Sequence, residues 1–192
     1  MHGLTLVDLA PIPPQPWRNR AGIAREMLAW PSSADWQVRI SVADIGADGP
    51  FSSLPGIDRW FAVAEGDGVV LRWENARRVL GIDTGPCHFD GGAPPACSLQ
   101  GGATRDLNLM ARRDAGRATM RRVEEGAEWI SSAPLRALFT TEALTLQIDD
   151  ADAVRMPPWH LAYSTHASRQ RWRVVSDSGT CRAWWMDYQQ NP

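Results

Sequence analysis

The chain has 192 residues, 44% of them hydrophobic and 22% charged, with a formal net charge of -2. These values match a globular protein with room for one full core, or for two small barrels. They offer no global basic field for a phosphate backbone, which argues against nucleic-acid binding. All 20 basic residues are Arg, so no amine is available for a Schiff base, and carboxylate recognition falls to the planar guanidinium fork.

The predicted elements are short strands separated by turns. Met1 to Pro16 has no basic stretch leading into an apolar one, and no run approaches the ~18 apolar residues of a spanning helix, so a reduced cytoplasm is the expected location. Pro11–Pro16 reads as a stiff, extended segment. Gln37–Ile45 alternates with Val38, Ile40 and Val42 on one face. Arg59–Ala64 and Val69–Trp73 flank Glu-Gly-Asp-Gly, a hairpin signature. Further strand runs are Ala118–Val123, Glu128–Ile130, Ala137–Thr140, Leu144–Ile148 and Arg171–Val175. Ser32–Trp36 and Pro134–Leu138 each suggest one helical turn. Ser176–Pro192, with Trp184, Trp185 and Tyr188, reads either as a docked segment or as a loose tail. Many short strands with frequent turns predict an all-β sandwich or barrel.

Three segments could carry chemistry. Pro16-Trp17-Arg18-Asn19-Arg20-Ala21-Gly22, followed by Arg25-Glu26, joins an aromatic face, an amide and several guanidinium groups. Such a set can stack a planar ligand and clamp a carboxylate; it can equally be a loop plugged by Trp17. Asp48–Arg59 has plain turn chemistry, with Ser52, Asp58 or Arg59 able to reach a barrel mouth. In Thr104–Arg113, period-2 alternation puts Arg105, Leu107 and Leu109 on one face and Asp106, Asn108 and Met110 on the other. That second face is either solvated or an inward face whose polar groups need partners.

Other chemistries have weak signals. The cysteines Cys87, Cys97 and Cys181 are odd in number and show no CxxC repeat, against a disulfide framework or a zinc knuckle. Of the histidines, His160 and His166 would lie roughly 20 Å apart on one strand face, and no His-x-His occurs. No metal and no cofactor are expected. No nucleophile elbow or P-loop is present.

Taken in order, Pro16–Asn19, Arg25-Glu26, Trp36–Ala43, Asp48–Arg59, Phe89–Gly92 and Arg105–Arg113 resemble the HutD/Ves family, most clearly over residues 11–140. The resemblance implies a cupin/jelly-roll (RmlC-like) β-barrel with two cupin-like halves packed as one domain over residues 1–192, in a bacterial protein tied to histidine utilisation. The chain departs from the family pattern after Asn19, where one glycine, Gly22, remains of several. The implied function is metal-free binding of a small anionic metabolite, a carboxylic acid such as urocanate or a formimino- or formyl-glutamate, in a regulator or sensor. Arg18, Asn19 and Arg25 would take the anionic end, Trp17 would stack, and Asp106 and Asn108 would orient the polar end. Glu26, Arg39 and Ser52 are further candidates. Two alternatives stand beside it. One is a metal-independent isomerase or hydrolase with Glu26, Asp106 or His88 as base. The other is an interaction or homodimerisation module anchored by Trp159, Trp172, Trp184 and Trp185. No membrane partner is expected.

Overall fold

The computed structural model describes residues 3–17, 22–177, 179 and 181–191, and among these every regular element is a strand. The chain divides into two compact units, Met1–Pro11 with Thr119–Pro192, and Ile12–Ala118. In chain order, β1 (Leu4–Asp8) is followed by β2 (Gln15–Pro16), β3 (Gly22–Trp30), β4 (Val38–Ile45), β5 (Gly49–Pro50) and β6 (Ile57–Glu65). Next come β7 (Val69–Trp73), β8 (Ala76–Leu80), β9 (Cys87–Asp90), β10 (Ala96–Leu99) and β11 (Thr104–Arg112). The remainder are β12 (Gly116–Arg122), β13 (Glu128–Ser131), β14 (Leu135–Thr140), β15 (Leu144–Ile148), β16 (Val154–Met156), β17 (His160–Ser164), β18 (Gln170–Ser176) and β19 (Ala183–Gln190).

Residues 12–118 form a six-stranded sheet, β2-β3-β4-β11-β6-β9, and a four-stranded sheet, β5-β10-β7-β8. Their apolar faces meet in one core: Phe61, Val63, Cys87 and Phe89 from the larger sheet, Val69, Leu71, Leu80 and Cys97 from the smaller. The β6–β7 hairpin requires its glycines. Gly66 and Gly68 have φ of 100° and 103°, and a Cβ at Gly68 would sit 2.4 Å from the Leu80 carbonyl oxygen.

The other unit pairs a five-stranded sheet, β1-β17-β14-β19-β12, with a four-stranded one, β13-β18-β15-β16. Its core includes Leu138 and Trp185 from the first and Trp129, Trp172, Val174 and Leu146 from the second. The indole of Trp129 stacks on that of Trp185 at 4.9 Å, and Trp172 meets both edge-on at 5.8 and 6.1 Å. Paired antiparallel sheets of this kind make each unit a jelly-roll, cupin-like half.

Two expectations change and one open choice is settled. Pro134–Leu138 is not a helical turn: β14 is buried at all six positions and pairs with β17 on one side and β19 on the other, so its backbone groups need ladder partners. Ser32–Trp36 is a bend between β3 and β4, held by the Asp35 N–H donating to Ser32 Oγ at 3.2 Å. The C-terminal stretch is no tail, because β19 pairs with β14 and buries Trp184, Trp185 and Tyr188. With Trp172 also fully buried, three of the four tryptophans proposed as docking anchors are core residues, which corrects the Trp-rich interaction reading.

Candidate ligand pocket

The pocket is built on one face of the six-stranded sheet. Antiparallel register sets Ser41, Asn108 and Phe61 in one row across β4, β11 and β6, and Arg39, Met110 and Arg59 in the next. Glu26 continues the first row onto β3, just before a bulge at Met27. Phe89 of β9 lies opposite Arg59. Inward residues along β11 run Thr104, Asp106, Asn108 and Met110. The first two are sealed in the interior, whereas Asn108 and Met110 line a cavity of about 410 Å³. That volume suits a small metabolite.

Trp17, Glu26, Arg39, Ser52 and Asn108, all singled out from the sequence, line this cavity together with Phe51 and Arg59. Trp17 is fixed edge-on to Phe51, with ring centres 6.1 Å apart, and its backbone N–H donates to the Gly22 carbonyl at 2.9 Å. Gly22 is required at this point, since a Cβ there would sit 2.6 Å from the Asp44 carbonyl oxygen and 3.3 Å from the Trp17 ring. Arg18 and Asn19 lie outside the described residues.

Two expected residues are elsewhere. Arg25 points to the opposite face of the sheet, where its Nη1 meets Asp44 Oδ2 at 2.7 Å and Arg105 Nε meets Asp44 Oδ1 at 2.6 Å. Burial pushes the Asp44 carboxyl up, but the hydrogen bonds and charges of Arg105 and Arg25 outweigh it and hold the group below its ordinary value. Arg25 is therefore already paired and cannot take the anionic end of a ligand in this pocket. Asp106 is on the correct face but one row too deep and fully buried. Its Oδ2 accepts from Thr104 Oγ1 at 2.8 Å, and its Oδ1 has no partner. Burial pushes its carboxyl up to about 8, against the hydrogen bond from Thr104 and with help from the Asp44 charge, so it is neutral at pH 7.

Arg59 ranked below the residues carried over from the resemblance, yet it is the most telling group here. It is 4% exposed. Its Nη2 donates to Asn108 Oδ1 at 3.1 Å, and its guanidinium lies 4.9 and 5.2 Å from the ring centres of Phe51 and Phe89. Its Nε has no hydrogen-bond partner, and among the described residues no carboxylate lies within ion-pair distance. Burial alone pulls its pKa down to about 10, so it stays charged at neutral pH. An enclosed cation without a counter-ion is costly, and a bidentate carboxylate is the group that relieves it. The signal was in the sequence: Arg59 shares the inward parity of Phe61 and Val63 on an otherwise apolar strand face.

At the far side of the pocket, Arg39 Nε lies 2.7 Å from Glu26 Oε2, and the Arg39 head sits 4.5 Å over the Trp36 ring. The contact is close but misaligned, because Arg39 Nε makes no hydrogen bond of proper geometry. Of the three candidate bases, Glu26 alone lines the pocket. His88 is half-exposed on the opposite face, its ring centre 4.6 Å from that of Trp60 and its Nε2 3.9 Å from Asp58 Oδ1. Burial pushes the Cys97 thiol up to about 12, so it offers no thiolate near neutral pH. Metal ligation does not fit the lining, where two guanidinium groups face a single carboxylate.

The HutD family model matches residues 10–181. Protein Ves of Cronobacter sakazakii (strain ATCC BAA-894) is 36% identical over 115 residues, 59% of this chain and 64% of that protein, so the match spans just under two thirds of that relative. An uncharacterized 21.2 kDa protein in the hutC 3' region of Pseudomonas putida is 31% identical over 149 residues, 74% of this chain and 76% of that one. Among solved structures, HutD from Pseudomonas fluorescens SBW25 superimposes with a TM-score of 0.84 at 22% identity, covering 98% of this chain and all of that one. An oxalate decarboxylase from Bacillus subtilis superimposes at 0.62 with 8% identity, covering 96% of this chain and 77% of that one, a likeness of fold alone. The six motifs in register, the paired jelly-roll sheets and the match over residues 10–181 agree: this chain belongs to the HutD family.

Proposed function

We propose that this protein is a metal-free receptor for a small carboxylic acid of histidine catabolism, with a regulatory rather than a catalytic role. Candidate ligands are urocanate and formimino- or formyl-glutamate. The observation that carries the reading is Arg59, a buried guanidinium at the pocket wall with no carboxylate partner among the described residues. A ligand carboxylate would supply the missing counter-charge. Asn108, already hydrogen-bonded to Arg59, would steady the guanidinium, and the Trp17 indole would cover a planar or apolar body. The tie to histidine utilisation rests on family membership and on the P. putida relative in the hutC 3' region.

A thermal-shift and calorimetric screen against these acids, run with and without chelator, tests the proposal. A ligand at 100 times its Kd is expected to add about 2.7 kcal/mol of stability. Arg59→Leu is expected to abolish that gain while the protein still folds. Binding that survives Arg59→Leu unchanged contradicts the proposal. Turnover of the bound acid that disappears in Glu26→Ala would replace the receptor with an enzyme.

A further inference from the structure

Charges facing the pocket are unevenly arranged. Among the described residues they are Arg59 on β6, Arg39 on β4 and Glu26 on β3, giving one net positive charge. Arg59 reaches sideways to Asn108 on β11, so its guanidinium lies near the middle of the sheet. Two strand spacings, about 10 Å, then separate that point from the strand of Glu26. A carboxylate held at Arg59 places the other end of a five- or six-atom chain beside Glu26.

Glu26 is poorly occupied for a pocket carboxylate. Its Oε1 accepts one long bond from Ser33 Oγ at 3.4 Å, and its Oε2 has the misaligned contact with Arg39. An N–H donor on a ligand meets an available acceptor there. A second ligand carboxylate meets a like charge, and it could reach Arg39 only by displacing Glu26.

We infer that Glu26 makes this a site for carboxylates that also carry a nitrogen donor, such as an ammonium, imidazole or amidinium group, and that it rejects simple dicarboxylates. The inference rests on the carboxylate-receptor reading and sharpens it. Urocanate, with its imidazole N–H, and formimino-glutamate, whose amidinium offsets one of its two carboxylates, fit better than formyl-glutamate, which has two carboxylates, a neutral amide N–H and no cation.

Three probes of one length separate the cases: pentanoate, γ-aminobutyrate and glutarate. Each is titrated at neutral pH into the full chain, followed by the tryptophan indole N–H signals. γ-Aminobutyrate is expected to bind about tenfold tighter than pentanoate, the effect of one charge-assisted hydrogen bond in a partly exposed pocket. Glutarate is expected to bind no tighter than pentanoate. Glu26→Gln should erase the preference for the amine and improve glutarate, with an unchanged unfolding midpoint showing that the variant folds. If γ-aminobutyrate and pentanoate bind equally and both require Arg59, the selectivity of Glu26 is refuted and the receptor reading stands. If none of the three binds, the carboxylate reading itself fails and this inference falls with it.

Discussion

The two units build similar paired sheets and fill them in opposite ways. In residues 119–192 the space between sheets holds Trp129, Trp172 and Trp185 in mutual contact, and a cavity of about 430 Å³ in that unit is lined by carboxylates, Asp149, Asp150 and Asp152. In residues 12–118 the inward positions of β4, β6 and β11 include Arg39, Ser41, Arg59 and Asn108, and a cavity of about 410 Å³ remains. The difference lies in side chains rather than topology. Indoles at inward positions give packing, whereas guanidinium and amide groups at inward positions leave unmet hydrogen-bonding capacity that a ligand can satisfy.

Breaking the tryptophan-filled core should have the largest effect. Trp172→Ala is expected to cost about 3–5 kcal/mol in denaturant unfolding and to leave ligand affinity untouched. If affinity falls with stability, the two halves do not divide their roles as described. Arg59→Leu, in the hollow half, is expected to weaken carboxylate binding by about 2–3 kcal/mol in calorimetry, with stability unchanged or raised. A strongly destabilised Arg59→Leu protein would make that arginine a structural group instead.

Asp106 gives a smaller, pH-dependent test. Its folded pKa, about 8, lies above the ordinary carboxylate value of 3.8. The folded state therefore holds a proton that the unfolded state has lost, so the contribution of Asp106 to stability is greatest below pH 3.8 and declines as pH rises to about 8. Across pH 6 to 7 the loss is expected to be about 1 kcal/mol. Asp106→Asn should flatten that slope in unfolding curves measured at several pH values; an unchanged slope would mean that the Asp106 carboxyl is not held neutral. The smallest effect is expected from Arg25→Ala on the opposite face of the sheet, at most about 1 kcal/mol of stability and no change in affinity. A marked loss of affinity would bring Arg25 back into the site.

Much of this was legible in the sequence because strand parity is a strong signal. Alternation in Gln37–Ile45 and Thr104–Arg113 assigned faces correctly, including the shared face of Asp106, Asn108 and Met110. Parity could not say how deep each residue sits along its strand, so Asp106 was expected in the pocket and lies sealed beneath it. Gly22–Trp30 is not among the predicted strands, so the parity that sends Arg25 toward Asp44 and Glu26 toward the ligand space could not be applied. β19 was ambiguous because continuous apolar runs such as Ala183–Met186 carry no alternation; burial on both faces of a sheet erases it.

The most direct test concerns the side chain of Arg59 itself. Its Nε–H should give a protected ¹⁵N signal, identified by its disappearance in Arg59→Leu. On titration with urocanate that signal is expected to shift and saturate with the same Kd as calorimetry reports. Saturable binding with the Arg59 Nε–H signal unmoved would contradict the assignment of Arg59 as the anchor of the ligand carboxylate.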